Sequence, residues 1–401
     1  QRARELPLDT LAEIVRQSES VEWGGHFFFQ EALALRSREK AQPRRADGPL
    51  FAAAAGDAAR QRPLPPPADA DNLQPLDVDA LAHTLDMQGP LAAAFPGYEH
   101  RPQQIEMMRA VARAFNQGQH LMVEAGTGTG KSIAYLLPAV EWARQNRRRV
   151  VVSTNTINLQ DQLILKDVPD LRAALGEDFQ AAVLKGRSNY LCPRRFDALR
   201  RRGPANADDM RLLAKVLVWI DGGAASGDRS ELTLSGPGAL SAWGRVSAED
   251  EACTSDTCQS RENGTCPFYR ARRAAEAAHV VIVNHALLMA DIAAAGQVLP
   301  PYEYLVVDEG HHLEAAATDG LSFSAEQQEI ERRLRDVGGP PAGREQLAVD
   351  APLGLDLADL VLAEPQVAVA DFVGVELPDA DELMHFLVRG LEEAAGLLQA
   401  D

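Results

Sequence analysis

From Leu8 to Val15 apolar side chains recur three and four positions apart (Leu8, Leu11, Ile14, Val15), the spacing of one helix face, and "WGGHFFFQEALAL" extends the pattern into a second helix. Between about Arg36 and Pro75 the periodicity stops. Ala, Pro, Arg and Asp dominate there ("RQRPLPPPADADNLQP"), a composition that resists packing and reads as a linker. Beyond it short apolar or β-branched runs alternate with helical stretches: "HLMVEAG" before "GKSIAYLLPAVEWARQ", and "RRVVVSTN" before "INLQDQLILKDVPDLRAAL". Then come "AAVLKG", "HVVIVNHALLM" and "YLVVDEGHH". Strand-then-helix alternation predicts an α/β fold with a mainly parallel sheet covered on both faces, its ligands at the carboxyl ends of the strands.

These changes of pattern divide the chain. A helical remnant of a preceding module spans 1–35 and a linker spans 36–76. The sheet domain occupies 77–189 and 269–318, an insertion at 190–268 interrupts it, and 319–401 forms a helical module carrying stretches such as "SAEQQEIERRLRDV". No internal repeat is present. The first residue is Gln, and the chain stops inside a helical run, so it reads as a piece of a longer protein.

The 401 residues, 46% of them hydrophobic, can bury a large core. No run of eighteen uncharged apolar residues occurs, and "QRARELPLDT" lacks the apolar stretch of a signal peptide, so the expectation is a cytoplasmic protein with no membrane partner. A net charge of −18 argues at first against nucleic acid. The distribution of that charge weakens the objection. From Asp319 onward eighteen acidic residues face five basic ones, whereas residues 141–202 hold thirteen Arg and Lys against seven Asp and Glu, including Arg147–Arg149 and Arg200–Arg202. A local anion-binding path is compatible with that stretch; so is an ordinary solvated face.

Residues 124–132 read "EAGTGTGKS" between a strand pattern and a helix pattern, the context of a phosphate-binding loop. Gly126, Thr127, Gly128, Thr129 and Gly130 can turn backbone N–H groups onto phosphate oxygens. Lys131 reaches the β- and γ-phosphates of ATP, and the Ser132 hydroxyl is a Mg²⁺ ligand. Ala125 stands where the strict pattern begins with Gly. Such a loop needs an acid on a neighbouring strand. "YLVVDEGHH" carries Asp308 to the sheet edge as the metal-holding acid and Glu309 as the base for the attacking water, with His311 beside them. An Asp-Glu pair after a strand is by itself as often a helix cap.

All four cysteines fall in the insertion: Cys192, Cys253, Cys258 and Cys266. Four thiolates without other thiols in the chain point to one shared site, either an iron–sulfur cluster or zinc, although structural zinc sites usually show paired C-x₂₋₄-C knuckles. Unrelated free thiols are the remaining reading.

Together these motifs resemble the DinG/XPD-type branch of superfamily 2 DNA helicases, over roughly residues 97–318. "YEHRPQQIEMM" resembles an adenine-reading motif with Gln104 as the reader, "STNTINLQDQ" resembles the strip that lies along single-stranded DNA, and "DEGHH" resembles the usual DEAHH with Gly310 in place of Ala. "KGRSNYLCP" resembles the lead-in to the first cluster cysteine, and "CPFYRARRAAEAAHVVIVNHALLM" the return to the motor. The resemblance implies a RecA-like P-loop NTPase domain with an inserted [4Fe–4S] domain held by the four cysteines, and the beginning of a helical arch from residue 319. It implies ATP and Mg²⁺ as cofactors, a single-stranded or forked DNA partner, and 5′–3′ movement. It also implies DNA contacts at Thr154, Thr156, Arg187, Asn284 and His285, with Arg194 and Arg195 near backbone phosphate. Polar residues at strand ends serve equally as caps. The motor's second domain, which supplies arginine fingers, is not recognisable here, so this stretch alone is expected to bind ATP and hydrolyse it poorly. The opening residues also fit a bacterial, nucleoid-associated arrangement in which a 3′–5′ exonuclease precedes the helicase. A P-loop phosphotransferase, and a non-motor ATP switch with a redox-sensing cluster, are the rival function classes.

Overall fold

The computed structural model describes residues 5–38, 64, 72–95, 97–126, 128–176, 179–222, 226–236, 238–249, 253 and 266–321. The acidic module assigned to 319–401 lies outside the described residues beyond Leu321, as does most of the linker.

Four strands form one parallel sheet: β1 (Val150–Thr154), β2 (Ala181–Val183), β3 (Val280–Asn284) and β4 (Tyr304–Val307), in the order β2-β3-β1-β4. β1 is buried along its whole length and β3 for all but its last residue. Central parallel strands lose both faces to helices, which is why "VVVST" and "VVIVN" are continuous apolar runs rather than alternating ones. The register sets Thr154 opposite Asn284 and Ser153 opposite Val307, so the residues just after these strands share the carboxyl edge.

The helices before the insertion are α1 (Leu8–Ser18), α2 (His26–Arg38), α3 (Val78–Thr84), α4 (Pro90–Ala94), α5 (Pro102–Gln117), α6 (Lys131–Asn146) and α7 (Ile157–Gln162). A π-turn over Leu163–Asp167 joins α7 to α8 (Val168–Leu175). Met108 and Ala112 of α5, Leu136, Leu137, Val140 and Trp142 of α6, and Leu163, Val168 and Leu171 pack with Val150, Val152, Val280 and Ile282 in the main core. Full burial of side chains this size stabilises the fold by about 1.5–3 kcal/mol each.

The run "HLMVEAG", expected as the strand entering the phosphate loop, is not in the sheet. Residues 119–126 have no regular structure, and Leu121, Met122 and Val123 are exposed by 45%, 74% and 40%. Apolar composition makes a strand only where a ladder partner takes up the backbone groups. Among the described residues the sheet ends at β4, whose side chains are only half-buried as a consequence.

The insertion folds around a second core built by α9 (Pro193–Arg202), α10 (Ala207–Asp221) and α11 (Ala239–Gly244). Leu191, Phe196, Met210, Leu213, Val216, Trp243 and Val246 meet there, and Ile14 of α1 joins them. Glu13 takes a two-pronged contact from Arg200, at 2.6 Å on both carboxylate oxygens, and Gln17 donates to the Arg200 carbonyl at 2.6 Å. The first helix therefore packs on the insertion. At the other end of the linker, Gln74 and Leu76 are pinned through their amides to Asn146 and Asn116, both at 2.7 Å. The chain returns through α12 (Pro267–Glu276) to β3, then α13 (His285–Ala293), β4 and α14 (Leu313–Leu321).

Candidate active site and cysteine cluster

The phosphate loop opens α6. Gly128 and Gly130 both have φ of 81°, a left-handed backbone that glycine adopts at little cost. Thr129 Oγ1 donates to the Gly126 carbonyl at 2.9 Å and closes the loop on itself. Thr127 lies outside the described residues. Gln104, expected to read adenine, is buried, and its amide donates to the Gly130 carbonyl at 2.9 Å. In this state it supports the loop. A Cβ on Gly130 would stand 2.1 Å from Gln104 Nε2, so a larger residue there would displace the Gln104 amide from the loop.

The acid pair arrives from β4. Asp308 N–H donates to the Ser153 carbonyl at 2.8 Å, continuing the ladder by one residue, and Lys131 Nζ donates to Glu309 Oε1 at 2.9 Å. The ion pair raises the Lys131 pKa and lowers that of Glu309, in both cases chiefly through this hydrogen bond. Glu309 has φ of 56° and ψ of 44°, a conformation costing a non-glycine residue about 1–2 kcal/mol. His311 is exposed, with Nε2 3.7 Å from Glu309 Oε2.

Asp308 Oδ2 accepts from Tyr135 Oη at 3.1 Å. Burial pushes the Asp308 carboxyl up, a cost that a cation beside it would relieve. Ser132 and Asp308 are therefore suited to Mg²⁺ in donor type and electrostatics. Sequence reading missed two neighbours. Tyr135 lies three residues after Ser132 on the same helix face, a spacing that is a usable signal. Asp167 is buried at the end of the π-turn; its carboxyl faces Ser132 and Gln162 while Oδ2 has no hydrogen-bond partner.

The residues expected to touch DNA have varied placements. Thr156 is exposed and caps α7 through Leu159 N–H at 3.3 Å. Asn284 caps α13 through Leu287 N–H at 3.0 Å. Thr154 and His285 are both fully buried, so neither presents a side chain to a strand crossing the surface. Backbone N–H groups engage Thr156 and Asn284, and the Ser153 hydroxyl engages His285, whereas the buried Thr154 hydroxyl has no hydrogen-bond partner. Much of the basic stretch is likewise engaged: Arg148 pairs with Glu303, and Arg149 donates to the carbonyls of Glu276, Ala278 and Pro301.

Cys192, Cys253 and Cys266 are all buried; Cys258 lies outside the described residues. Cys192 and Cys266 each cap a helix that begins with proline, and backbone N–H groups face their sulfurs: Arg194 and Arg195 for the first, Phe268 and Tyr269 for the second. Burial raises both thiol pKa values and these N–H groups oppose it, while the cysteines feel one another's charge. Arg187 donates to the Cys253 carbonyl at 3.4 Å and lies 5.2 Å from the Phe268 ring centre. Among the described residues no three His, Cys, Asp or Glu side chains close into a metal-binding group. Cys192 and Cys266 pack in one cluster with Tyr190, Ala248 and Phe268, and as thiolates they would suit a thiolate-bound group in donor type.

At the junction of insertion and sheet, Lys185 is 2% exposed, with Nζ 2.9 Å from Asp161 and 2.7 Å from Asp228. Nothing in its sequence context signalled this.

The family model for the DEAD/DEAH box helicase matches residues 101–182, and the DEAD_2 model matches 250–330. The chain is 36% identical over 249 residues to the 3′–5′ exonuclease DinG of Bacillus subtilis, covering 62% of this chain and 26% of that protein. It is 34% identical over 254 residues to the ATP-dependent DNA helicase DinG of Escherichia coli K12, covering 59% and 35%. With the ATP-dependent DNA helicase YoaA of the same strain it shares 36% over 249 residues, covering 60% and 37%. The matched stretch thus spans about a third of these relatives. Over these stretches the chain matches the DEAD/DEAH box helicase models and is similar to DinG-type proteins, alongside its phosphate loop, acid pair and parallel sheet.

Proposed function

We propose that this chain works as the first motor half of an ATP-dependent DNA helicase. The observation that carries the reading is the meeting of Lys131 with Glu309 at the carboxyl edge of the sheet, 2.9 Å apart. Lys131 and the loop amides would hold the triphosphate. Ser132 and Asp308 would hold Mg²⁺, which neutralises charge developing on the phosphates, and Glu309 would orient and deprotonate the attacking water.

The four cysteines would hold a [4Fe–4S] cluster, whose contribution is a rigid four-point crosslink of the insertion. Single-stranded DNA would pass the edge at Thr156, with movement 5′ to 3′. The isolated chain would bind ATP and turn it over slowly, because transition-state charge on the γ-phosphate needs arginines from a second motor domain. The name of the Bacillus subtilis relative also supports a nuclease module in the parent protein.

The experiment is ATP turnover by the full-length protein with and without single-stranded DNA, together with unwinding of duplexes bearing a 5′ or a 3′ tail. DNA-stimulated turnover and unwinding of only the 5′-tailed substrate are expected. Turnover indifferent to DNA would instead favour a phosphotransferase, and unwinding from the 3′ tail would reverse the direction.

A further inference from the structure

His285 stands at the first position of α13, directly after β3, and is fully buried. Its Nδ1 lies 2.8 Å from Ser153 Oγ on β1. Nε2 is also buried and has no hydrogen-bond partner, with the peptide groups of Asp308 and Glu309 near the ring. Ser153 is occupied on both sides, since its carbonyl accepts the Asp308 N–H at 2.8 Å. The ring thus joins the end of β3 to Ser153 on β1, and Ser153 in turn holds the Asp308 backbone after β4.

The Ser153 hydroxyl can donate to or accept from Nδ1, so this bond forms with either neutral tautomer. Burial favours the neutral ring. Glu309 meanwhile occupies a left-handed conformation that an L residue keeps only when its surroundings enforce it.

We propose that His285 is a positioning residue for hydrolysis, holding the Asp308–Glu309 backbone so that the Glu309 carboxylate meets Lys131 and the water site. The inference rests on the hydrolase reading above for its kinetic consequence, but its structural content stands separately. A base displaced by about 1 Å loses roughly a hundredfold in rate while the phosphate loop still binds nucleotide. The role thus separates turnover from binding.

The test uses the full-length protein carrying His285→Gln and, because a buried ring is being replaced, Ser153→Ala as a milder variant acting from the other side. ATP turnover, the affinity for fluorescent ADP with Mg²⁺, and amide hydrogen exchange are measured on each. Expected are a fall in kcat of about tenfold or more for His285→Gln and less for Ser153→Ala, with nucleotide affinity within about twofold. Exchange at 308–312 should quicken while exchange across α6 stays unchanged. Unaltered kcat with unaltered exchange at 308–312 would overturn the proposal. So would kcat and ADP affinity falling together with faster exchange throughout, the mark of general destabilisation. Absence of hydrolysis in the unmodified protein would refute the function reading, and exchange at 308–312 would still decide this one.

Discussion

Lys131 and Glu309 are paired at 2.9 Å, so the lysine that would hold the γ-phosphate is already held by the residue that would activate water. Both side chains remain about one quarter exposed, so phosphate can displace the carboxylate. Glu309→Gln removes the competing charge and the base at once. Turnover should fall about 10²–10⁴-fold while MgATP affinity stays equal or rises. Lys131→Ala should weaken nucleotide binding itself. Steady-state turnover with equilibrium nucleotide titration separates the two, and weaker binding by Glu309→Gln would contradict the arrangement.

The cysteines give the most direct chemical test. Protein purified without oxygen should show a broad brown absorption and about four irons per chain. Cys192→Ser or Cys253→Ser should abolish both, and so should Cys258→Ser if four thiolates share the group. Colourless protein with stoichiometric zinc would replace the cluster by a structural zinc site and leave the motor residues untouched.

The sheet and the site differ in how much the sequence could reveal. β1 and β3 were legible because parallel strands with covered faces must be apolar throughout, β4 from its apolar run although its side chains are only half-buried, and the phosphate loop because its glycines answer a backbone demand at fixed spacing. "HLMVEAG" has the same composition yet forms no ladder, since pairing depends on a neighbour that periodicity does not encode. His285 and Thr154 look like surface residues in one dimension because a polar side chain after a strand can face solvent or a neighbouring strand's backbone. Ile14 and Glu13 belong to a face whose partner, α10 and Arg200, lies about two hundred residues away. Asp167 and Lys185 gained their roles only when the fold buried them.

Buried phenols make the fold sensitive to alkali. Burial raises the pKa of Tyr190 and Tyr302 well above the usual 10.0. Between pH 10 and those raised values the unfolded chain has released protons that the folded chain still holds, so stability falls as pH rises through that window. Tyr302→Phe removes one such group. The drop in urea midpoint between pH 8 and pH 10.5 should be smaller in this variant than in the unmodified protein; an equal or larger drop would show that Tyr302 does not contribute.

Lys185 joins the two cores through charge. Its ammonium contacts Asp161 at the end of α7 and Asp228 in the insertion, and it donates to Ser230 Oγ at 3.2 Å, while almost no part of it reaches water. Forming such a cluster costs desolvation that its attractions roughly offset, but removing the cation alone leaves two carboxylates near each other without compensation. Lys185→Met should therefore destabilise the protein by about 3–5 kcal/mol. Adding Asp228→Asn to Lys185→Met should restore part of the loss, so the double variant is more stable than the sum of the single changes requires. Because Asp228 also bridges to Tyr190, two residues before Cys192, any iron held at the cysteines should be lost from the lysine variant before nucleotide binding is. Urea denaturation of the four proteins in the cycle, with iron content and ADP affinity measured on each, checks the claim, and strict additivity would show that Lys185 and Asp228 do not act as a pair.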